Sequence, residues 1–137
     1  MSGFSKGTSS TVVASYQFGS QTANVSSLSV PYWNGSNTNA AGLYRFTYQL
    51  EVDTVASVSS TLPALQIVAY NRQGVLNTVT SATNTGNTTA TFTSGVFVLD
   101  VRTGSANDVT YATTSYASTA AGMVYSFRFV VEYLGNV

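Results

Sequence analysis

The sequence predicts an all-β protein, an antiparallel jelly-roll β-sandwich of about eight strands, and three observations carry that prediction. Apolar side chains recur at every second position through two long segments, 42–55 and 123–134, and period two marks a strand with one buried face. Turn signals rich in Gly, Asn and Ser interrupt the chain at short, fairly regular intervals, and no stretch holds a helical period. The chain's 137 residues make one domain, large enough to bury a core without staples, and it has no cysteine to form one.

Residues 1–10 (MSGFSKGTSS) are small and polar around a single aromatic and read as a flexible N-terminal arm, with residues 11–137 as the sandwich domain. Phe4 and Lys6 are the arm's candidate anchor and charge for contact with a neighbouring surface. Thr11 to Phe18 alternates, with Val12, Ala14, Tyr16 and Phe18 on one face. Asn24 to Tyr32 reads as a second strand with Leu28, Val30 and Tyr32 in phase, and Pro31 confines its end to an edge or a bulge. Trp33 to Asn39 is a loop by its turn chemistry.

The segment 42–55 sets Tyr44, Phe46, Tyr48, Leu50 and Val52 against Arg45, Thr47, Gln49, Glu51 and Asp53, the pattern of a half-buried antiparallel strand. An Ala-, Ser- and Thr-rich stretch follows as far as Thr61. Leu62-Pro63 then opens a strand from Ala64 to Asn71, and Arg72-Gln73-Gly74 turns it into a hairpin with Val75 to Thr80. Asn84 to Asn87 is a turn signal, and Thr88 to Thr93 a Thr-rich strand around Phe92. After Ser94-Gly95, the segment Val96 to Arg102 is apolar on both sides, with Val96 and Val98 opposite Phe97, Leu99 and Val101. The outer side of such a strand in a two-layer protein needs a cover. Thr103 to Asp108 is a loop, Val109 to Tyr116 a strand, and Ala117 to Gly122 the final turn.

The last strand organises the rest. Met123, Tyr125, Phe127, Phe129, Val131 and Tyr133 share the face that must look inward. At roughly 1.5–3 kcal/mol per buried large side chain, that face contributes on the order of 10 kcal/mol before chain entropy is subtracted. The opposite face mixes Val124, Val130 and Leu134 with Ser126, Arg128 and Glu132, more apolar surface than a strand open to water carries. If this strand lies antiparallel to 42–55, Arg45 meets Glu132 and Glu51 meets Arg128 across the outer face.

Composition excludes several kinds of chemistry. The chain has no His and no Cys, so it offers neither a His general base nor a thiolate nucleophile or metal ligand. Five basic residues balance five acidic ones, which leaves no clustered positive charge to replace counterions on nucleic acid or to bind an anionic membrane. Met1-Ser-Gly-Phe-Ser-Lys6 has no apolar run, so no secretory signal is expected. Glu51 and Asp53 form a carboxylate pair on one strand face with no candidate metal partner beside them, and they read as surface charges. Asp100 and Asp108 flank a Gly-containing loop and lack the third ligand that calcium would need. Asn24, Asn34 and Asn87 stand in N-x-[ST] contexts that a chain rich in these residues produces by accident. No Gly-x-Ser-x-Gly is present. The sequence therefore predicts no enzyme and no cofactor or metal. Pro31 to Gly35 is the one recognition candidate: Tyr32 and Trp33 read first as aromatics that cap the sandwich end or anchor a subunit contact, and alternatively as rings that stack on a sugar beside Asn side chains.

Three runs carry a resemblance: Ala41-Gly-Leu-Tyr-Arg-Phe-Thr-Tyr-Gln-Leu-Glu51, Leu62-Pro-Ala-Leu-Gln-Ile-Val68, and Val124-Tyr-Ser-Phe-Arg-Phe-Val-Val-Glu-Tyr-Leu-Gly135. In this order they resemble small bacteriophage virion proteins with trimeric jelly rolls related in shape to the tumour-necrosis-factor-like fold. The resemblance implies that the Gly-x-Tyr strand lies beside the last strand and that their sheet faces a trimer axis. It implies a capsid decoration (cement) protein on the phage head, partnered by copies of itself and by the major capsid protein or another virion protein. The alternative it leaves open is a receptor- or carbohydrate-binding fibre tip. On this reading Arg45, Glu51, Val96, Val98, Val124, Arg128, Val130, Glu132 and Leu134 belong to the subunit interface. Phe4, Lys6, Tyr32 and Trp33 are the contacts to the capsid or to a receptor.

Overall fold

The computed structural model describes residues 11–30, 41–56, 58–86, 91–102, 109–118 and 122–135. Every regular element among them is a β-strand: β1 (Thr11–Gln21), β2 (Leu28–Ser29), β3 (Gly42–Thr54), β4 (Ser60–Leu62), β5 (Ala64–Tyr70), β6 (Leu76–Thr80), β7 (Asn84–Gly86), β8 (Phe92–Val101), β9 (Thr110–Thr114), β10 (Ala117–Ser118) and β11 (Val124–Gly135). One four-stranded sheet runs β1-β11-β3-β8, a second runs β2-β9-β5-β6, and a small sheet β10-β4-β7 closes one side. Numbering the strands of the two large sheets one to eight along the chain, the layers read 1-8-3-6 and 2-7-4-5. That crossing of consecutive strands between layers is the jelly roll, and all pairings are antiparallel.

The alternation read from sequence builds the core. Met123, Tyr125, Phe127, Phe129 and Val131 of the last segment are all at most 1% exposed, and Tyr44, Phe46 and Leu50 lie beside them on the inner face of β3. Leu65, Ile67 and Ala69 of β5 and Tyr111 of β9 close the core from the other layer. Tyr111 sits among rings, 5.0 Å from both Tyr16 and Phe129 and 6.1 Å from Phe18. Its hydroxyl is buried with no hydrogen-bond partner among the described residues.

Tyr125 is placed the opposite way, at the centre of a hydrogen-bond relay that joins the layers. An N–H only donates and a carbonyl only accepts, so the relay has one direction. Val25 N–H donates to Thr113 Oγ1 (2.7 Å), Thr113 to Tyr125 Oη (2.8 Å), and Tyr125 to the Ala23 carbonyl (2.7 Å). Thr113 belongs to β9 and Tyr125 to β11, so the relay ties the connection after β1 to both sheets. Nearby, Tyr116 donates its hydroxyl to the Met123 carbonyl at 2.6 Å and its N–H to Asn24 Oδ1 at 2.9 Å. The Asn24 amide oxygen is thus a structural acceptor.

Several expectations are corrected. Val12 is 59% exposed, because the β1–β11 ladder slips between Val12 and Ala14 and turns Val12 outward while Val13 packs inward. The second predicted strand shrinks to Leu28–Ser29, with Leu28 41% exposed at the sheet edge. Val25 and Val30 are both buried five residues apart, an odd spacing that needs an extra residue. The backbone supplies it, since Val25 bonds to Thr113 and Val30 to Val109, five steps against four.

Phe92 does not belong to a separate Thr-rich strand. It opens β8, which runs straight through Ser94-Gly95. Gly95 lies opposite Tyr48, whose ring occupies the place of a Cβ there: its hydroxyl would be 2.5 Å away. Tyr48 in turn stacks on Phe97 at 4.9 Å. The turn signal at Asn84 and the last predicted turn at Ala117 are short strands, β7 and β10, each pairing with β4. The Arg72–Gly74 hairpin is present, with Asn71 N–H bonded to the Val75 carbonyl and Gly74 at φ 83°.

Candidate functional site

The outward face of β1-β11-β3-β8 is the surface that the interior leaves unexplained. Register lays its side chains in rows across four strands. One row is Val12, Glu132, Arg45 and Val98; the next is Ser15, Val130, Thr47 and Val96; the third is Gln17, Arg128, Gln49 and Ser94. Ser126, Glu51 and Phe92 form a fourth. Val96 and Val98 are 52% and 53% exposed and Phe92 62%, so with Val12 the face presents large apolar groups to its surroundings.

Charge on this face is paired within the sheet. Arg45 Nε and Nη2 each donate to a Glu132 oxygen at 3.0 Å, a two-pronged contact between directly opposed residues. The hydrogen bond to Glu132, and then its charge, raise the Arg45 pKa above its ordinary value. Arg128 and Glu51 also pair, at 3.7 Å, but diagonally: Arg128 sits opposite Gln49, and Glu51 opposite Ser126. The two proposed cross-strand pairs could not both be directly opposed, because their register positions differ by two. Ser126 donates to Asp53 Oδ1 at 3.2 Å, so Glu51 and Asp53 are engaged by neighbours on the sheet surface.

Of the residues assigned to an interface from sequence, Arg45, Glu51, Val96, Val98, Arg128, Val130 and Glu132 share this face. Val124 and Leu134 stand where the β11–β3 ladder slips at either end of β11, and both are half-buried. Two members were missed, Val12 and Phe92. The Val12-Val13 doublet was the available signal for a bulge; Phe92 had none, since Gly95 looked like a break. Phe4, Lys6, Tyr32 and Trp33 lie outside the described residues, as do Asp108, Asn34 and Asn87.

Between β11, β3 and β8 the face dips into an open depression of about 260 Å³ bordered by Thr47, Gln49, Ser94, Arg128 and Val130. Elsewhere, Asp100 accepts from Arg72 Nε at 2.6 Å at the hairpin end of the sandwich. Among the described residues no three His, Cys, Asp or Glu side chains cluster as a metal site, and no helix is long and apolar enough to cross a membrane.

No protein-family model matches the chain, and no curated protein matches it. Among solved structures it is similar to a chain from infectious bursal disease virus, Gx strain, with 14% sequence identity and a TM-score of 0.48. The match covers 93% of this chain and spans only 33% of the viral one. A likeness at that level decides nothing about what this chain does.

Proposed function

We propose that this chain is a structural virion protein, a decoration (cement) protein that binds the outside of a phage head as a homotrimer and stabilises the shell. The observation that supports it is the outward face of the four-stranded sheet. Val12, Phe92, Val96 and Val98 are each more than half exposed there, around ions already paired within the sheet. Such a face loses apolar exposure on contact and brings few unpaired charges into it, which is what association between copies requires. Among the described residues the core packs within one copy and leaves this face outward.

Two measurements test the proposal. Light scattering is expected to give three times the 14.4 kDa chain mass. Titration onto emptied, undecorated heads is expected to show saturable binding that raises their resistance to heat. A 14.4 kDa species at micromolar concentration, or heads that bind nothing, would reject it. Glycan binding that disappears in Trp33→Ala would instead support the receptor-binding tip.

A further inference from the structure

We infer that the depression on the outward sheet face receives the N-terminal arm of a neighbouring copy, with the Phe4 ring in the depression and the Lys6 ammonium at Glu51. The inference rests on the self-association proposed above and names the contact that would complete it.

Spacing is the first argument. In an extended arm Phe4 and Lys6 point the same way, roughly 7 Å apart. Gln49, at the border of the depression, and Glu51 share that relation along β3. The arm therefore lays its one aromatic and its one charge over a cleft and a carboxylate at matching separation.

Charge is the second. The Arg128 and Glu51 side chains are 53% and 40% exposed, and at 3.7 Å they hold each other loosely. Arg128 can stack its guanidinium on an aromatic ring while Glu51 takes a second cation.

Reach is the third, and it selects a neighbour over the same copy. β1 begins at Thr11 opposite Tyr133, whereas Arg128 lies five residues farther along β11, about 17 Å away along the strand, and β3 is two strand spacings from β1. The chain preceding Thr11 must reverse to come back over the sheet. A reversal takes about four residues. Of the six residues between Phe4 and Thr11 about two remain, spanning roughly 7 Å, and the copy's own Phe4 falls short.

The absence of native cysteine makes a clean test. Phe4→Cys protein is mixed with Ser94→Cys protein and oxidised, with Thr78→Cys, exposed on β6 in the other layer, replacing Ser94→Cys as control. Circular dichroism confirms that each variant is folded. The expected result is a covalent dimer of the Phe4→Cys and Ser94→Cys chains that is lost on reduction and absent from the control mixture. No dimer, or an equal yield in the control, overturns the inference. So does a double variant that closes only within its own chain. Light scattering of the unmodified protein separates the two levels: an oligomer without selective cross-linking removes the arm contact alone, whereas a monomer removes self-association with it.

Discussion

Two buried tyrosines, changed in the same way, should move stability in opposite directions. Tyr111 and Tyr125 are both 0% exposed, and Phe replaces either without losing the ring. The Tyr111 hydroxyl has no hydrogen-bond partner among the described residues. A buried polar group left in that state costs about 1–3 kcal/mol of lost hydration, offset here only by the weak interaction with the neighbouring Tyr16 side chain. Tyr111→Phe removes the cost and keeps the packing against Tyr16, Phe18, Phe127 and Phe129, less a small void where the oxygen was. A net gain of about 1 kcal/mol is expected, and a rise in Tm of roughly 3–5 °C. Tyr125→Phe strands two partners instead, the Thr113 hydroxyl and the Ala23 carbonyl. It should cost about 1–2 kcal/mol. Urea unfolding with a shared slope and calorimetry read both. If Tyr111→Phe destabilises as much as Tyr125→Phe, the hydroxyl is held by a full partner, such as Tyr16 or a trapped water, and it is not the uncompensated group that its geometry indicates.

Three further outcomes follow from the same geometry. Gly42 has φ 149° and its missing Cβ would clash with the Gly135 carbonyl oxygen, so Gly42→Ala should lower unfolding free energy by about 2 kcal/mol or more in urea. Burial raises the phenol pKa of Tyr48, Tyr111 and Tyr125 above 10.0, so the folded state holds protons that the unfolded chain releases. The contribution of these phenols is level below pH about 10 and falls above it, by up to about 1.4 kcal/mol per pH unit for each. Tyrosinate absorbance should appear together with unfolding; phenols that titrate freely in the folded protein would contradict their burial. Val98→Lys places a second cation directly opposite Arg45 on an exposed site, and is expected to leave Tm within about 2 °C while reducing the light-scattering mass toward one chain.

How much of this was legible follows from what a period can encode. The faces of β3 and β11 were readable because ten or more residues alternate without interruption, and their charges even pointed to the pairing. Arg45 and Glu132 came out directly opposed, and Arg128 reached Glu51 on the diagonal. Bulges were not readable. Val12 turned outward, and Val25 and Val30 turned inward out of step, because one extra residue in a ladder changes every face beyond it and leaves only a faint trace in composition. The three-residue β7 and two-residue β10 were equally hidden, since their pairing with β4 is decided by where the larger sheets bring them. Gly95 reads as a break from its own flank, because the Tyr48 ring that fills its place comes from a residue forty-seven positions earlier.

The sheet that carries the candidate surface is also the best-secured part of the molecule. Its ladders are the longest in the fold, β11 running beside β3 from Val124 to Gly135 and β8 beside β3 from Phe92 to Val101. Inward residues of those strands pack into the core, while outward residues alternate with them along each strand. Because the two sets sit on opposite sides of one backbone, a change at Val96 or Val98 alters the surface without reaching Phe97 or Leu99 beneath. If copies associate through this face as proposed, association and folding are separable by residue parity. Substitutions at inward positions should move Tm, and those at the exposed Val12, Val96 and Val98 should move mass with little change in Tm.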